Sequence, residues 1–232
     1  MSRSGARRRG ACARDSSPSP DASLIARRAS LPDSVRAFLA VNLAPQVGAA
    51  VVALKRELAA RVPAVRWVRD ENVHVTIKFL GNVAATQLDV LRQTLSPVLS
   101  RIGPFTVRVR GLGAFPSPKR PRVVWVGLAS DDLPRLAAAV EAALGPVGFA
   151  REERPFRSHV TLGRIDAAQA WAPLADALRS HVSDDFGSCR VEELVAYRSV
   201  LQRTGAVYTR VWSIGLVESR EGGFHGAGCN EE

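Results

Sequence analysis

"NVHVTIKFL", residues 72–80, and "FRSHVTLGRI", residues 156–165, write His-Val-Thr followed by an aliphatic residue twice, 85 positions apart. Both stretches alternate like β-strands, in which residues i and i+2 share a face. His74 and Thr76 therefore project together, with Val75 and Ile77 on the opposite face. His159 and Thr161 project together in the same way, against Val160 and Leu162. Each strand has an apolar back that suits a core and a polar front of imidazole and hydroxyl. By alternation Lys78 shares the first front and Arg157 the second, so both are candidate substrate contacts. Arg164 sits at an odd offset from His159. It faces away on an ideal strand and reaches the front only if the strand bends or ends there.

The elements around the two motifs repeat in order. Val35–Leu43 is a short apolar strand, and Pro45 opens a helix with Val47, Val51, Leu54 and Leu58 on one face. "VRWV" at 65–68 is a short extended piece. After the first motif come a helix with Leu88, Leu91, Leu95 and Leu99 and a strand at 104–115. The order then restarts. There is a strand at 121–128, then a helix that Asp132 can cap, with Leu133, Leu136, Val140 and Leu144 on one face. The second motif follows, then a helix marked by Trp171, Leu174 and Leu178, one strand over 189–197 and a last one over 206–216. An offset of 85 superposes Phe38 on Val123, His74 on His159, Thr76 on Thr161 and Val109 on Leu194. That register points to an internal duplication with a shared interface.

The chain has 232 residues, 46% of them hydrophobic, enough for one substantial core. No apolar run approaches the roughly 18 residues of a membrane span. Residues 1–33 are rich in Arg and Ser and read as a disordered extension, and 219–232 as a flexible tail. The ordered part is 34–218, a single domain with lobes at roughly 34–118 and 119–218. The net charge of +10 is half in the first thirty residues, so the folded part is basic as well. That favours a phosphate-bearing partner. The three cysteines, Cys12, Cys189 and Cys229, form no C-x-x-C pair, which supports neither a zinc knuckle nor a disulfide framework. A reducing, cytoplasmic setting is the default.

Two histidines facing one phosphodiester supply a general base and a general acid, because imidazole exists in either form near neutral pH. Thr hydroxyls can hydrogen-bond the non-bridging oxygens, where charge accumulates. This scheme requires no metal and no cofactor. A zinc site would need a third ligand. Of the other two histidines, His181 reads as a helix-end residue and His225 as solvated. Trp67 and Phe115 lie near loop ends, where they serve packing or base stacking.

At these residues the chain resembles the 2H phosphoesterase superfamily, and within it the RNA 2',3'-cyclic phosphodiesterases, also known as bacterial-type 2'-5' RNA ligases. The resemblance rests on the paired H-x-T-x motifs, on "RAFLAVNL", "VRWVRDENVHVTIKFLGNV", "RVVWVGL", "RPFRSHVTLGRI" and "ELVAYRSVLQRTGAVYTRV". It covers about residues 35–215. It implies a bilobal α+β fold with a pseudo-twofold axis, antiparallel sheets lining a central cleft and helices outside. The implied reaction is hydrolysis of an RNA-terminal 2',3'-cyclic phosphodiester to a 2'-phosphomonoester, with 2'-5' ligation as the reverse of the same site. His74 would then be the proton donor, His159 the proton acceptor, and Thr76 and Thr161 the phosphate holders. The implied partner is RNA with 2',3'-cyclic phosphate ends. No membrane and no obligate protein partner are expected, and a monomer is the default, because an internal twofold removes one reason to dimerise. Ser158 stands where the family often has Pro before the second His. Two other readings use the same residues: a 2H enzyme for a small cyclic nucleotide or a 2'-5' oligonucleotide, and a non-catalytic RNA- or nucleotide-binding module.

Overall fold

In a computed structural model, residues 34–166, 171–203 and 205–217 are described. The terminal segments 1–33 and 219–232, with His225, Cys12 and Cys229, lie outside them. The elements are β1 (Ser34–Val41), α1 (Pro45–Arg61), β2 (Arg66–Trp67), a 3-10 turn (Asp70–Asn72), β3 (Val75–Ala84), α2 (Ala85–Leu99), β4 (Phe105–Phe115), β5 (Val123–Ala129), α3 (Asp132–Leu144), β6 (His159–Arg164), α4 (Trp171–Ser180), β7 (Asp185–Val191), β8 (Glu193–Gln202) and β9 (Gly205–Gly215). The helical stripes predicted from spacing are the buried faces, including Val47, Val51, Leu54 and Leu58 of α1 and Leu133, Leu136, Val140 and Leu144 of α3. The first-turn N–H groups of α3 at Asp132 and Leu133 donate to Ser130 Oγ, so Ser130 supplies the cap expected of Asp132.

All strands form one open antiparallel sheet in the order β7-β4-β5-β6-β3-β1-β8-β9, with β2 pairing β6. At the middle of the sheet β3 and β6 share one register pair, Val75 opposite Val160. The lobes differ from the sequence halves expected at 34–118 and 119–218. β4, from the first half, pairs β5 of the second, and β8, from the second, pairs β1 of the first. Helices cross in the same sense: α1 packs on β7, and α3 on β3. The exchange is symmetric, as a pseudo-twofold through the Val75–Val160 pair requires. The single strand expected over 189–197 is two strands turning at Glu192. β7 and β8 are far apart in the strand order yet one residue apart in sequence, so the sheet curves back. Leu216 N–H on Glu192 O (2.7 Å) and Val217 N–H on Ile102 O (3.1 Å) tie its ends.

Both motif strands are bulged at the same place. Leu39 pairs with Lys78 and Ala40 with Thr76, leaving Ile77 as the extra residue. Val124 pairs with Gly163 and Trp125 with Thr161, leaving Leu162 extra. A bulge inserts one residue and inverts the alternation beyond it. Ile77 and Lys78 are therefore both buried, as are Leu162 and Gly163, and Phe79 and Arg164 come round to the front.

Lys78, expected on the polar front, is thus on the back. It is 2% exposed, and its ammonium donates to both carboxylate oxygens of Glu141 on α3 and to Ala150 O, each at 2.8 Å. Removing one partner of a buried pair costs about 3–5 kcal/mol. Glu141→Leu should lose stability on that order in urea denaturation, and the double variant Lys78→Met/Glu141→Leu should recover most of it.

Candidate active site

The Val75–Val160 pair fixes what stands around it. In an antiparallel register the neighbours across are His74 opposite Thr161 and Thr76 opposite His159, with Cβ atoms about 5 Å apart. Two His and two Thr thus form a square on the front, the histidines on one diagonal. The two valines beneath are fully buried.

Both imidazoles are anchored alike. His74 Nδ1 lies 2.8 Å from Asn72 O, and His159 Nδ1 2.7 Å from Arg157 O, in each case two residues upstream. A carbonyl oxygen only accepts, so Nδ1 carries the proton and Nε2 is the free nitrogen of each neutral ring. His74 Nε2 accepts from the Thr76 hydroxyl at 3.0 Å. The carbonyl under His74 is itself held. Asn72, buried, donates Nδ2–H to Ala206 O at 2.7 Å. The turn before it is braced by Asp70, which binds Lys55 and accepts from Arg56 Nε at 2.8 Å, and by Lys55 donating to Val68 O at 2.7 Å.

Aromatic rings enclose His74. Phe38 stacks on it with centroids 4.9 Å apart, and Tyr208 meets it edge-on at 5.4 Å. Tyr197 lies behind Phe38 at 5.4 Å and donates its hydroxyl to Asn42 Oδ1 at 3.0 Å. Phe115 meets His159 edge-on at 5.1 Å, and the Arg157 guanidinium lies 5.6 Å over the Phe115 ring. Burial pushes the His74 pKa down to about 4, against the opposing pull of the Asn72 carbonyl, with the His159 charge lowering it further. His159 is also lowered, mainly by burial, with Arg164 adding to it. Burial raises the Tyr208 pKa, and Arg164 and Arg36 counter it.

Among the sequence candidates, the structure brings His74, Thr76, His159 and Thr161 together and sets Arg157 at the rim. The Leu162 bulge brings Arg164 to the front, where its charge acts on His159 and Tyr208. Lys78 is removed to Glu141. Of the stacking candidates, Phe115 borders His159. Trp67 packs over Gly163, where an added Cβ would lie 3.1 Å from its ring, and donates to Val62 O at 3.1 Å. His181 follows α4 and pairs with Asp184 at 2.7 Å. Among the described residues no three His, Cys, Asp or Glu side chains converge as a metal site. Sequence reasoning missed Phe38, Tyr197 and Tyr208. The available signal was that the chain's only two tyrosines fall on the strand pair that closes the first lobe.

A histidine that titrates near 4 when folded and near 6.5 when unfolded has no effect on stability above pH 6.5. Below it the unfolded chain takes up a proton the folded chain refuses, so stability falls until about pH 4. By pH 4.5 His74 should account for roughly 2–3 kcal/mol of lost stability. Urea denaturation at pH 7.5 and 4.5 should show a smaller acid loss for His74→Phe than for the wild type. An equal loss would remove burial as the cause.

The LigT like Phosphoesterase family model matches the chain twice, over residues 41–125 and 126–208. An RNA 2',3'-cyclic phosphodiesterase of Archaeoglobus fulgidus is 35% identical over 175 residues, covering 75% of this chain and 96% of that protein. One of Aeropyrum pernix is 36% identical over 156 residues, covering 66% and 88%. In structure the chain is similar to TT0787 of Thermus thermophilus, with TM-score 0.67 and 28% identity over 78% of this chain and 97% of that one. It is also similar to Escherichia coli LigT complexed with 3'-AMP, with TM-score 0.63 and 26% identity over 80% and 99%. Among the described residues no helix is long and apolar enough to cross a membrane. Twofold-related motif strands and a model that matches once per half describe the same duplication: the chain belongs to the LigT-like phosphoesterase family, within the 2H phosphoesterases.

Proposed function

We propose that this protein hydrolyses RNA-terminal 2',3'-cyclic phosphodiesters to 2'-phosphomonoesters, as a cytoplasmic monomer. The observation that carries the proposal is the His–Thr square with both Nδ1–H groups spent on backbone carbonyls. That arrangement leaves two Nε2 atoms for one phosphate. The names of the relatives agree with it.

In the reaction a water oxygen attacks phosphorus and gives its proton to His159 Nε2. The bond from phosphorus to the 3'-oxygen breaks, and His74 Nε2–H protonates that oxygen. The 2'-phosphate remains on the RNA. Thr76 and Thr161 hydroxyls donate to the non-bridging oxygens, and Arg164 faces the charge that develops there. The assignment of donor and acceptor follows the family resemblance. For His74 to act as the acid it must first gain a proton, and the bound anion supplies the driving force, because an adjacent negative charge raises an imidazole pKa.

A short RNA ending in a 2',3'-cyclic phosphate, incubated in EDTA, tests this. Wild type should yield the 2'-phosphate, and His74→Ala and His159→Ala should each lose at least a hundredfold in kcat. A 3'-phosphate product would reverse the assigned leaving oxygen. Bound RNA without turnover would make the protein a binding module or direct it to another substrate.

The pH profile is a separate test. The competent free enzyme holds one proton between the two histidines, so its apparent pKa values belong to the pair. Both histidines are lowered, one to about 4. The kcat/KM should peak between about 4 and an upper value below 6.5, then fall tenfold per pH unit toward alkali. The kcat profile, set by the complex with its anionic substrate, should lie at higher pH. A flat kcat/KM from pH 5 to 8 would end the shared-proton scheme.

A further inference from the structure

The two motif strands share a bulge at Ile77 and Leu162, but the flanks of the site are not alike. Around His74 the front is aromatic, with Phe38, Tyr208 and the exposed Phe79, 57% accessible. Around His159 it is cationic. The β4–β5 connection "PSPKRPR", residues 116–122, leaves the sheet at Phe115, whose ring touches His159. It returns at Arg122, whose N–H donates to Phe115 O at 2.6 Å and whose carbonyl receives Ile165 N–H at 2.9 Å. The connection is thus anchored beside both His159 and Arg164. Lys119, Arg120 and Arg122 are exposed on it, with Arg157 at its base. None of the four has a carboxylate partner among the described residues, whereas Arg66, Arg108 and Arg179 on neighbouring elements do.

Three prolines in seven residues restrict the backbone, and Pro121 is buried as an anchor. A stiff connection holds its cations in place, so less entropy is lost when they meet a ligand. Beneath it lies a cavity of about 740 Å³ lined by Gly113, Pro118, Lys119, Trp171, Leu178 and Arg179. Its walls are apolar and its rim is cationic. An unstacked base on Trp171 with phosphates on the rim matches that combination. A folded protein ligand would need a broader face, and a free mononucleotide has no second phosphate to reach the connection.

We infer that the Pro116–Arg122 connection and the cavity beneath it are the docking surface for the single-stranded RNA upstream of the reacting terminus. The inference rests on the proposal that this site acts on RNA cyclic phosphates, and it makes the protein an oligonucleotide enzyme. The terminal phosphate sits on the His–Thr square, and the backbone runs out past Arg157 onto Lys119 and Arg120. The upstream base enters the cavity at Trp171.

The test compares a cyclic mononucleotide with a hexanucleotide carrying the same terminal residue and cyclic phosphate, at 50 and 300 mM salt. In parallel, fluorescence anisotropy follows a 5'-labelled hexanucleotide with a 3'-phosphate. In wild type, kcat/KM for the hexanucleotide should exceed that for the mononucleotide at least tenfold at 50 mM, with a smaller ratio at 300 mM. Lys119→Ala/Arg120→Ala should bring the ratio close to one. It should also flatten the slope of log affinity against log salt by roughly one to one and a half, at about 0.7 per phosphate contact on a single strand. Trp171→Ala should lower the ratio and leave that slope unchanged, separating base from backbone. A wild-type ratio near one at 50 mM, or a ratio and slope unchanged in the double variant, would overturn the inference. If wild type turns over neither substrate, the catalytic proposal fails, and the anisotropy slope alone decides the docking surface.

Discussion

The site depends on one pair of valines. Val75 and Val160 face each other across the seam between the two halves of the sheet, both fully buried. Their burial fixes the register, because a slip of one residue would turn each strand's apolar set to the front and its polar set to the core. With the register fixed, His-x-Thr on each antiparallel strand becomes a square with the histidines on a diagonal. The repeated tripeptide follows from that geometry. The middle residue holds the seam, and its neighbours carry the chemistry of the proposed reaction. An acid and a base on opposite sides of one phosphorus need such a diagonal, and a twofold axis through the seam supplies it from one sequence used twice.

The same burial sets the protonation states. An imidazole among Phe38, Tyr208 and the sheet loses its water, which disfavours the cation. The carbonyl on Nδ1 restores part of that loss and fixes the tautomer. The outcome is a pair of neutral bases until an anion arrives. In the proposed reaction a phosphodiester is both the substrate and the missing counter-charge, so binding it prepares the acid. The Asn72 bond to Ala206, and the Lys55–Asp70 brace behind the turn, keep the carbonyl at the place this requires.

Much of the architecture was legible because it is written in periodicity. The helical stripes and the 85-residue offset each leave a mark on residue spacing that the structure carries, and the alternation of both motif strands holds as far as Thr76 and Thr161. Two things were not legible. The exchange of β4 and β8 between lobes is a choice of partner, and a strand carries no record of its neighbour. The run from Cys189 to Tyr197 holds no Gly, Pro, Asn or Asp to mark a turn, although Glu192 within it is where the chain leaves one end of the sheet for the other. The bulges at Ile77 and Leu162 were hidden for a related reason. A bulge is defined against the partner strand, so ideal alternation placed Lys78 in front and left Arg164 undecided.

Those bulges also show how a symmetric frame serves an asymmetric substrate. Beyond the extra residue the duplicated positions are Lys78 and Gly163 on the back, Phe79 and Arg164 on the front. On the first strand the back residue is charged and pairs with Glu141 of α3, fastening that strand to a helix from the other sequence half. On the second strand the back residue has no side chain, and Val65 and Trp67 close over it: a Cβ there would lie 2.6 Å from Val65 Cγ1. The front then differs in kind, a ring on one side and a guanidinium on the other. A cyclic phosphate has one oxygen that leaves and one that stays, so two equal histidines cannot be told apart by their own chemistry. The surroundings must distinguish them. The aromatic enclosure keeps His74 the drier of the two, and Arg164 puts positive charge beside His159. A positive neighbour favours the neutral form of an imidazole. That suits His159 to accept a proton from water, but burial lowers the drier His74 further still, so the acid role of His74 rests on the charge of the bound phosphate.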